Sequence, residues 1–427
     1  MLVLAITLLM LGLLVVGMPV GFAMGVAGAA GLYLLGGTRF VFGILDTTPL
    51  STVGVYELVT IPMFLLMAEL VLLSGVTEDL FKAAAAWLSR VRGGLAMATS
   101  IAGAGFAAIC GSSTGSAATL AATTIPSMLK QGYEAKLASG VVAISGTLAI
   151  LIPPSVGMIV YGFMAEVSIA KLFIAGVIPG LLVVTAIIAT IAILVRLNPD
   201  SAPQTESVPM GERFRLLVGV LPTLLLFGFV TIAIYSGATT PTEASAVGAA
   251  GGLILALARG QSSFAQYLHA FRRAALTSCM ILTIILGAHI FGYFITITRL
   301  TQDIIAFVGA LDANRWVILL ILLAGYVVMG MFMDQMAILV LTVPIVVPLV
   351  SSLGFDLIWF GVIFIIVAEI GLVTPPLGLN CFVVARYAGR PLNEVFHGTF
   401  PHVLAHFVVI AILLAFPAIT LWLPGRM

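Results

Sequence analysis

Residues 93–129 read GGLAMATSIAGAGFAAICGSSTGSAATLAATTIPSML, an uncharged run of 37 residues with a polar interruption at Gly111–Ser116. As one helix, this run would be about 56 Å long, nearly twice the roughly 30 Å of a hydrocarbon core. Glycine and small hydroxyl residues compete with helical hydrogen bonding, so the helix is expected to stop at the interruption. The run predicts a re-entrant hairpin over about 94–130, with two ordinary membrane spans as the alternative.

The composition of the whole chain is that of an integral membrane protein. Of its 427 residues, 61% are hydrophobic and 8% are charged, whereas a soluble domain has about 25% charged residues. Further uncharged runs cover 1–38, 137–165, 216–242, 274–298 and 395–425. Each run exceeds the roughly 20 apolar residues that a helix needs to cross a bilayer. The 18 Lys and Arg balance 17 Asp and Glu, so no basic surface exists for nucleic acid, and the lipid bilayer is the expected environment.

A shift of the sequence by 222 residues superimposes landmarks of its two halves. The aligned landmarks are Pro19 with Pro241, Pro126 with Pro348, Gly132 with Gly354, Pro153-Pro154 with Pro375-Pro376, and Gly176 with Gly398. Self-similarity at a fixed offset indicates duplicated structural units. We predict two repeats, residues 1–195 and 216–427, joined by a polar linker at 196–215 outside the bilayer. Transporters commonly carry such repeats in inverted orientation.

The same offset places a second hairpin and two broken helices. Ser112 aligns with Asp334, so the second hairpin is predicted over about 316–350. The predicted broken helices cover about 137–165, with Pro153 and Pro154, and about 357–388, with Pro375 and Pro376. Prolines inside a span remove backbone donors and break the helix. Non-helical backbone at membrane depth is tolerated only where it is buried in protein or lines a cavity. The hairpin tips and the breaks are therefore expected to meet at one site.

Two further segments are given structural roles. Residues 77–92 mix charged and large apolar side chains, which is typical of an amphipathic interfacial helix, and residues 260–273 are the expected counterpart of this arm. Pro241 suits the first turn of a helix. Glu243 either caps that helix or has a functional role.

The hairpin tip of the first repeat has two chemical interpretations. The helix that begins after Gly111–Thr114 presents unpaired N–H groups and a positive dipole end, which suits a carboxylate. Alternatively, the hydroxyls of Ser112 and Ser113, with carbonyls near Gly146 and Pro153, surround Na⁺.

A cation site is favoured at the hairpin tip of the second repeat. Asp334 is the only carboxylate at a predicted tip, and Gln335, Thr374 and Asn380 are neutral oxygen donors nearby. Ionisable residues within membrane segments are functional candidates because their burial is costly. The alternative is that Asp334 caps its helix, and the two roles are compatible.

The sequence gives no support to an enzyme. Gly111–Gly115 matches Gly-x-Ser-x-Gly, with Ser113 as the nucleophile, but this motif needs a strand-to-helix elbow and a positioned His. Helical apolar sequence flanks the match, and no His precedes residue 261. His402 and His406 have metal-ligand spacing, but no further ligand completes a set, and Cys110, Cys279 and Cys381 stand far apart. Neither an organic cofactor nor a metal other than Na⁺ is predicted.

Five motifs at 111–119, 151–155, 240–244, 330–335 and 374–380 resemble, in this order, those of the large membrane subunit of tripartite ATP-independent periplasmic (TRAP) transporters. The resemblance covers essentially the whole chain. It implies a multi-pass protein of the bacterial or archaeal inner membrane that moves by an elevator mechanism. It also implies Na⁺-driven uptake of organic acids, a periplasmic substrate-binding protein, and a separate small membrane subunit of about four helices.

The resemblance also implies site residues. The first Na⁺ site would involve Ser112, Ser113, Gly146 and Pro153, and the second would involve Asp334, Gly371 and Thr374. An acid substrate would contact Ser116, Ser155 and Asn380. The residues Pro154, Pro241, Glu243, Pro375 and Pro376 would be structural, at helix breaks.

The sequence thus predicts an all-α polytopic membrane protein with about 11 or 12 transmembrane helices, two re-entrant hairpins and an inverted repeat. Two alternatives to the tripartite function remain. One is a self-sufficient Na⁺/dicarboxylate symporter. The other is an uncoupled channel or scaffold subunit of the membrane.

Overall fold

The computed structural model of the chain describes residues 1–204, 207–260 and 262–427, and for 108–110 only the backbone. Glu206 of the predicted linker and Gln261 of the predicted second arm lie outside this range. The helices of the first half are α1 (Leu2–Val15), α2 (Val20–Val53), α3 (Thr60–Leu73), α4 (Val76–Leu88), α5 (Gly94–Cys110), α6 (Ser113–Lys130), α7 (Ala135–Gly146), α8 (Leu148–Leu151), α9 (Val156–Met164) and α10 (Ile169–Leu197). Those of the second half are α11 (Met210–Tyr235), α12 (Pro241–Arg259), α13 (Phe264–Ile297), α14 (Leu300–Ala310), α15 (Arg315–Gly330), α16 (Gln335–Ser352), α17 (Leu357–Gly371), α18 (Leu379–Ala388), α19 (Leu392–Ala415) and α20 (Ala418–Leu421). No strand occurs in the described ranges, which confirms the all-α class.

Many of these helices have the length and apolar character of membrane spans. Among the described residues, eight helices pass this criterion, or nine if the bent pair Ala135–Leu151 and Val156–Met164 counts as one span. Five other apolar helices are shorter: α1, α5, α14, α15 and α17. A helix such as α15, with 16 residues, is about 24 Å long and does not cross a roughly 30 Å core by itself. The polytopic class is confirmed, and the total of 11 or 12 spans stays a prediction.

Equivalent helices of the two halves begin at equivalent positions. α6 begins at Ser113 and α16 at Gln335, which are 222 residues apart, and the same offset separates the starts of α7 and α17 at Ala135 and Leu357. The succession α5, α6, α7, α9, α10 in the first half recurs as α15, α16, α17, α18, α19 in the second. The offset found in the sequence is therefore present in the order and the length of the helices.

The long helices outside the hairpins pair across the two halves. α2 packs along α13, and α3 packs along α12. The first pair approaches so closely that a Cβ added at Gly287 would lie 2.0 Å from the carbonyl oxygen of Gly21. Small residues permit this backbone approach, which is typical of helix packing in membranes. These helices form one continuous body, here called the scaffold (α2, α3, α12, α13).

The structure changes the assignment of the second arm. Residues 264–273, predicted as an interfacial helix, are the first turns of the 34-residue helix α13. The helix that lies 222 residues after α4 is α14, with 11 residues. The charges in 264–273 imitate an amphipathic arm, but no turn follows them and the helix continues into an apolar segment. In the first repeat, α4 begins at Val76 after Gly75 in the left-handed conformation and ends at Leu88.

Both proline pairs lie at breaks of helices. In the first half, the direction of the helix changes by 44° between Ala135–Leu151 and Val156–Met164. In the second half, α17 ends at Gly371 and α18 begins at Leu379. The Pro153-Pro154 and Pro375-Pro376 peptide bonds are cis.

The hairpin of each repeat packs against a helix of the other repeat. The second limb of the first hairpin, α6, packs against α18, which follows the break of the second repeat. In the same way, α16 packs against α9, which follows the break of the first repeat. Each hairpin therefore meets the broken helix of the other half, and this exchange positions the site.

Candidate functional site

Both hairpin tips end in a polar residue that caps the following helix. Ser112 is the N-cap of α6, and its hydroxyl accepts from the backbone N–H of Gly115 at 3.3 Å. Asp334 is the N-cap of α16, and its Oδ2 accepts from the N–H of Met336 at 3.0 Å. Both side chains are exposed. The capping role foreseen for Asp334 is thus present, and its carboxylate remains accessible at the tip.

The residue after the first tip lies at the centre of a buried polar cluster. Ser113 Oγ lies 3.2 Å from the carbonyl oxygen of Gly146 and 2.6 Å from Glu369 Oε2. The Nδ2 amide of Asn380 donates to Ser113 Oγ at 2.8 Å. We call these four residues, Ser113, Gly146, Glu369 and Asn380, the Ser113 cluster. It joins the first hairpin to a helix of its own repeat and to two helices of the other repeat.

Several oxygen atoms of this region have no hydrogen-bond partner among the described residues. Glu369 Oε1, Asn380 Oδ1 and Ser116 Oγ are buried and unpaired. Both polar atoms of the buried Gln335 side chain, beside Asp334, are also unpaired. Buried polar atoms of native proteins normally have partners. Unpaired oxygens from a carboxylate, an amide and a hydroxyl are suitable ligands for a small hard cation.

Two of the three predicted residues of the second Na⁺ site, Gly371 and Thr374, lie at the end of α17. The N–H of Thr374 donates to the carbonyl oxygen of Gly371 at 3.0 Å, and the Thr374 hydroxyl donates to the carbonyl oxygen of Ile370 at 2.7 Å. Gly371 touches the end of α15, since a Cβ at Gly371 would lie 2.4 Å from the Cα of Gly330. Asp334 follows Gly330 in the tip of the same hairpin. The tip and the break thus adjoin in the second repeat.

The structure does not bring the three predicted substrate residues to one cavity. Ser155 is the N-cap of α9, accepts from the N–H of Met158 at 3.3 Å and donates to the carbonyl of Ile150. Asn380 belongs to the Ser113 cluster, and Ser116 is fully buried one turn further along α6. All three side chains are therefore enclosed by protein. Their assignment to the substrate stays a prediction without a common surface.

The remaining predicted residues have structural surroundings. Pro153 and Pro154 pack against apolar side chains of α10 and α11, among them Phe173 and Val230. Pro375 and Pro376 are exposed in the break of the second repeat. Thr240, Pro241 and Glu243 lie at the start of α12. Pro241 is the first residue of that helix, and the backbone N–H of Thr240 donates to Glu243 Oε2 at 2.8 Å while Thr240 Oγ1 accepts from the N–H of Glu243 at 3.3 Å. This capping box is the structural one of the two roles considered for Glu243.

Two adjacent cavities lie between the scaffold and α9. They have volumes of about 490 and 500 Å³, and Val55, Phe163 and Glu166 line both. In the second cavity, Thr52 Oγ1 and His289 Nδ1 form a hydrogen bond of 2.8 Å. These cavities separate part of the scaffold from the helices that carry the site.

Glu369 is the residue of the cluster that the sequence does not assign to a site. It was visible as an acidic residue within the apolar helix segment 357–371, which marks a functional candidate. Its partner Ser113 lies 256 residues away in the sequence, and no local pattern connects the two. The available signal was therefore the lone charge, without an indication of the site to which it belongs.

The fold is that of a solved membrane transporter. The YdaH transporter of Alcanivorax borkumensis matches with a TM-score of 0.63 and 14% identity, covering 90% of each chain. This likeness concerns the fold alone. The architecture defines a multi-pass helical membrane protein with a transporter fold.

Sequence comparison identifies the family. The profile of the "Tripartite ATP-independent periplasmic transporter, DctM component" matches residues 7–419. The C4-dicarboxylate TRAP transporter large permease protein DctM of Pseudomonas aeruginosa is 35% identical, covering 87% of this chain and 86% of that protein. The sialic acid TRAP transporter large permease protein SiaM of Vibrio cholerae is 31% identical, covering 97% and 96%. The chain belongs to the DctM-component family of TRAP transporters, which confirms the resemblance found in the motifs. Both relatives are named permease proteins, in agreement with a protein that is not an enzyme.

Proposed function

We propose that this chain carries a small organic acid into the cell together with Na⁺, as the large permease subunit of a tripartite transporter in a bacterial or archaeal inner membrane. The observation that carries the proposal is the meeting of hairpin tips, helix breaks and unpaired oxygens where the two repeats exchange contacts. In secondary transporters, unwound backbone and helix ends at such repeat interfaces bind the ion and the substrate.

The donor chemistry supports a monovalent hard cation. The donors near the tips are a carboxylate at Asp334, hydroxyls, an amide oxygen and main-chain carbonyls. Within the described residues, no group of three or more His, Cys, Asp and Glu side chains could hold a metal ion. A site of one carboxylate with neutral oxygens balances a single positive charge, so Na⁺ is the proposed co-substrate.

The substrate is proposed to be an organic acid because of the helix ends at the tips and because of the relatives. The N-termini of α6 and α16 present backbone N–H groups and a positive dipole end, which favour an anion. The two relatives described above are named a C4-dicarboxylate TRAP transporter protein and a sialic acid TRAP transporter protein. Na⁺ bound beside the tips adds positive charge for a carboxylate, so ion and acid would stabilise each other.

The movement is proposed to be of the elevator type, in which the hairpins and broken helices move against the scaffold. The cavities between the scaffold and α9 support this, since less tightly packed surfaces separate more easily.

The partners are proposed to be a small membrane subunit of about four helices and a periplasmic substrate-binding protein. The word "large" in the names of the relatives supports the small subunit.

The test is uptake into proteoliposomes of a panel of radiolabelled organic acids, with the chain alone or with its candidate partners, in Na⁺ or in choline. We expect uptake of one acid or a small group of acids with all three components and Na⁺, and background uptake in choline. Uptake by the chain alone would replace the tripartite assignment with a self-sufficient symporter. Equal uptake in choline and Na⁺ would contradict ion coupling and favour the uncoupled channel.

A further inference from the structure

Among the residues that the structure describes, the carboxyl group of Glu369 has no ion-pair partner. Its side chain is 2% exposed, within the apolar helix α17. None of the ion pairs among the described residues includes it. Glu69 in α3 differs, because it pairs with Arg273 at 3.2 Å. A buried charge without a partner is strongly unfavourable, so a buried carboxyl group of this kind is either protonated or neutralised by a cation.

Some oxygen atoms near Glu369 form hydrogen bonds, and others have no hydrogen-bond partner among the described residues. Ser113 holds Oε2, whereas Oε1 has no partner. Asn380 uses its amide N–H on Ser113, which leaves Oδ1 unpaired. Ser116 lies three residues after Ser113 on the same face of α6, and its hydroxyl is unpaired as well. Three unpaired oxygens thus belong to two residues of the Ser113 cluster and to the next turn of α6.

The repeat shows that this arrangement exists once. The positions related to Glu369, Asn380 and Ser116 by the offset of 222 are Thr147, Met158 and Ile338. At the hairpin tips, too, the carboxyl group belongs to the second repeat, since Asp334 corresponds to Ser112. The first tip is therefore neutral with a carboxylate beneath it, and the second tip carries its own carboxylate. Each of the two related places has one carboxyl group.

We propose that Glu369, from the second repeat, supplies the negative charge of the first Na⁺ site, with Asn380 and Ser116 as neutral oxygen donors. This inference rests on the Na⁺ coupling proposed above and deepens it. It moves Asn380 and Ser116 from the substrate to the ion. Both repeats then contribute ligands to the first Na⁺ site. Na⁺ binding therefore stabilises the contact between the hairpin of one half and the broken helix of the other.

The test measures Na⁺ binding rather than transport. The purified full-length chain in nanodiscs is titrated with ²²Na⁺, and thermal unfolding is followed as a function of Na⁺ concentration, with K⁺ and choline for comparison. For the wild type we expect about two Na⁺ per chain, one for each repeat interface. For Glu369→Gln, which keeps the shape and removes the charge, we expect about one Na⁺ per chain, with the affinity of the lost site reduced on the order of 30-fold or more.

Three further variants keep the test decisive. Glu369→Asp retains the charge and is expected to keep both sites, and Ser113→Ala is expected to weaken one site about 10-fold or more. Glu69→Gln removes another carboxylate from a membrane helix and is expected to bind Na⁺ as the wild type does, because Glu69 already has Arg273. If Glu369→Gln fails to fold, the comparison of Ser113→Ala with Glu69→Gln decides.

The outcomes separate this inference from the proposed function. Wild-type Na⁺ stoichiometry and affinity in Glu369→Gln, or in Ser113→Ala where the first variant does not fold, overturn the role of Glu369 and leave Na⁺ coupling in place. Absence of Na⁺ binding by the wild type overturns the proposed coupling and this inference with it. Loss of one site in Glu369→Gln and of the other in Asp334→Asn supports the inference.

Discussion

Replacing Asp334 with Asn is expected to weaken the Na⁺ dependence of uptake strongly while leaving the protein folded. Asn is as good an N-cap as Asp, so the hydrogen bond to the N–H of Met336 is retained. The substitution removes only the charge at an exposed tip that lies beside the break of α17. We expect the apparent affinity for Na⁺ in reconstituted uptake to fall on the order of 30-fold or more. Thermal stability without Na⁺ should remain that of the wild type.

Two controls separate the charge of Asp334 from its capping role. Asp334→Ala removes both, so it should lose Na⁺ dependence and in addition about 1 kcal/mol of stability. Asp356 is another acidic N-cap, accepting from the N–H groups of Ile358 and Trp359 at 2.9 Å. Asp356→Asn is therefore expected to leave uptake unchanged. If Asp334→Asn transports with wild-type Na⁺ dependence, Asp334 is a cap and nothing more.

The second large effect is expected at the contact between α7 and α19. A Cβ at Gly398 would lie 2.0 Å from the carbonyl oxygen of Lys136, and one at Gly140 would lie 2.2 Å from the carbonyl carbon of Gly398. The obstructing atoms are backbone, so only a displacement of a whole helix makes room. α7 carries Gly146 of the Ser113 cluster, and α19 belongs to the other half. Gly398→Leu should therefore cost more than about 3 kcal/mol and separate the repeats at the site.

The measurement for Gly398→Leu is the yield of monodisperse protein by size-exclusion chromatography, with the unfolding temperature of any protein recovered. The matched control is Gly228→Leu in α11, since a Cβ at Gly228 meets nothing within 4 Å. Leucine is the better helix former, so this control should be at least as stable as the wild type. Wild-type yield and stability of Gly398→Leu would show that the close approach of α7 and α19 does not hold the repeats together.

Much of the fold is visible in the sequence because membrane helices are constrained by few rules. Long apolar runs must be helical, since no other open structure satisfies its backbone in lipid. Prolines and polar turns then mark the breaks, as they do at Pro153-Pro154 and at Asp334. The second arm was assigned wrongly for a related reason. Charge patterning at 264–273 describes the surface of a helix, but it does not tell whether that helix continues, as α13 does for 34 residues.

The site was less accessible to sequence reasoning because it is built from contacts between the halves. Ser113 was singled out from its tip, but its link to Asn380 spans 267 residues. The resemblance in the motif at 374–380 assigns Asn380 to the substrate. The structure instead buries Asn380 where α18 packs against α6. Only the packing of the two repeats shows which polar residues share a cluster, and a single sequence does not encode that packing in any local pattern.

The proposed function requires that a Na⁺ gradient drives an organic acid uphill through this chain. The direct test uses proteoliposomes that contain the complete transporter, the acid at equal concentration on both sides, and an inward Na⁺ gradient. We expect the internal acid to rise above the external concentration and to return to it when an ionophore dissipates the gradient. An internal acid concentration that never exceeds the external one, with or without the Na⁺ gradient, would contradict Na⁺-driven transport.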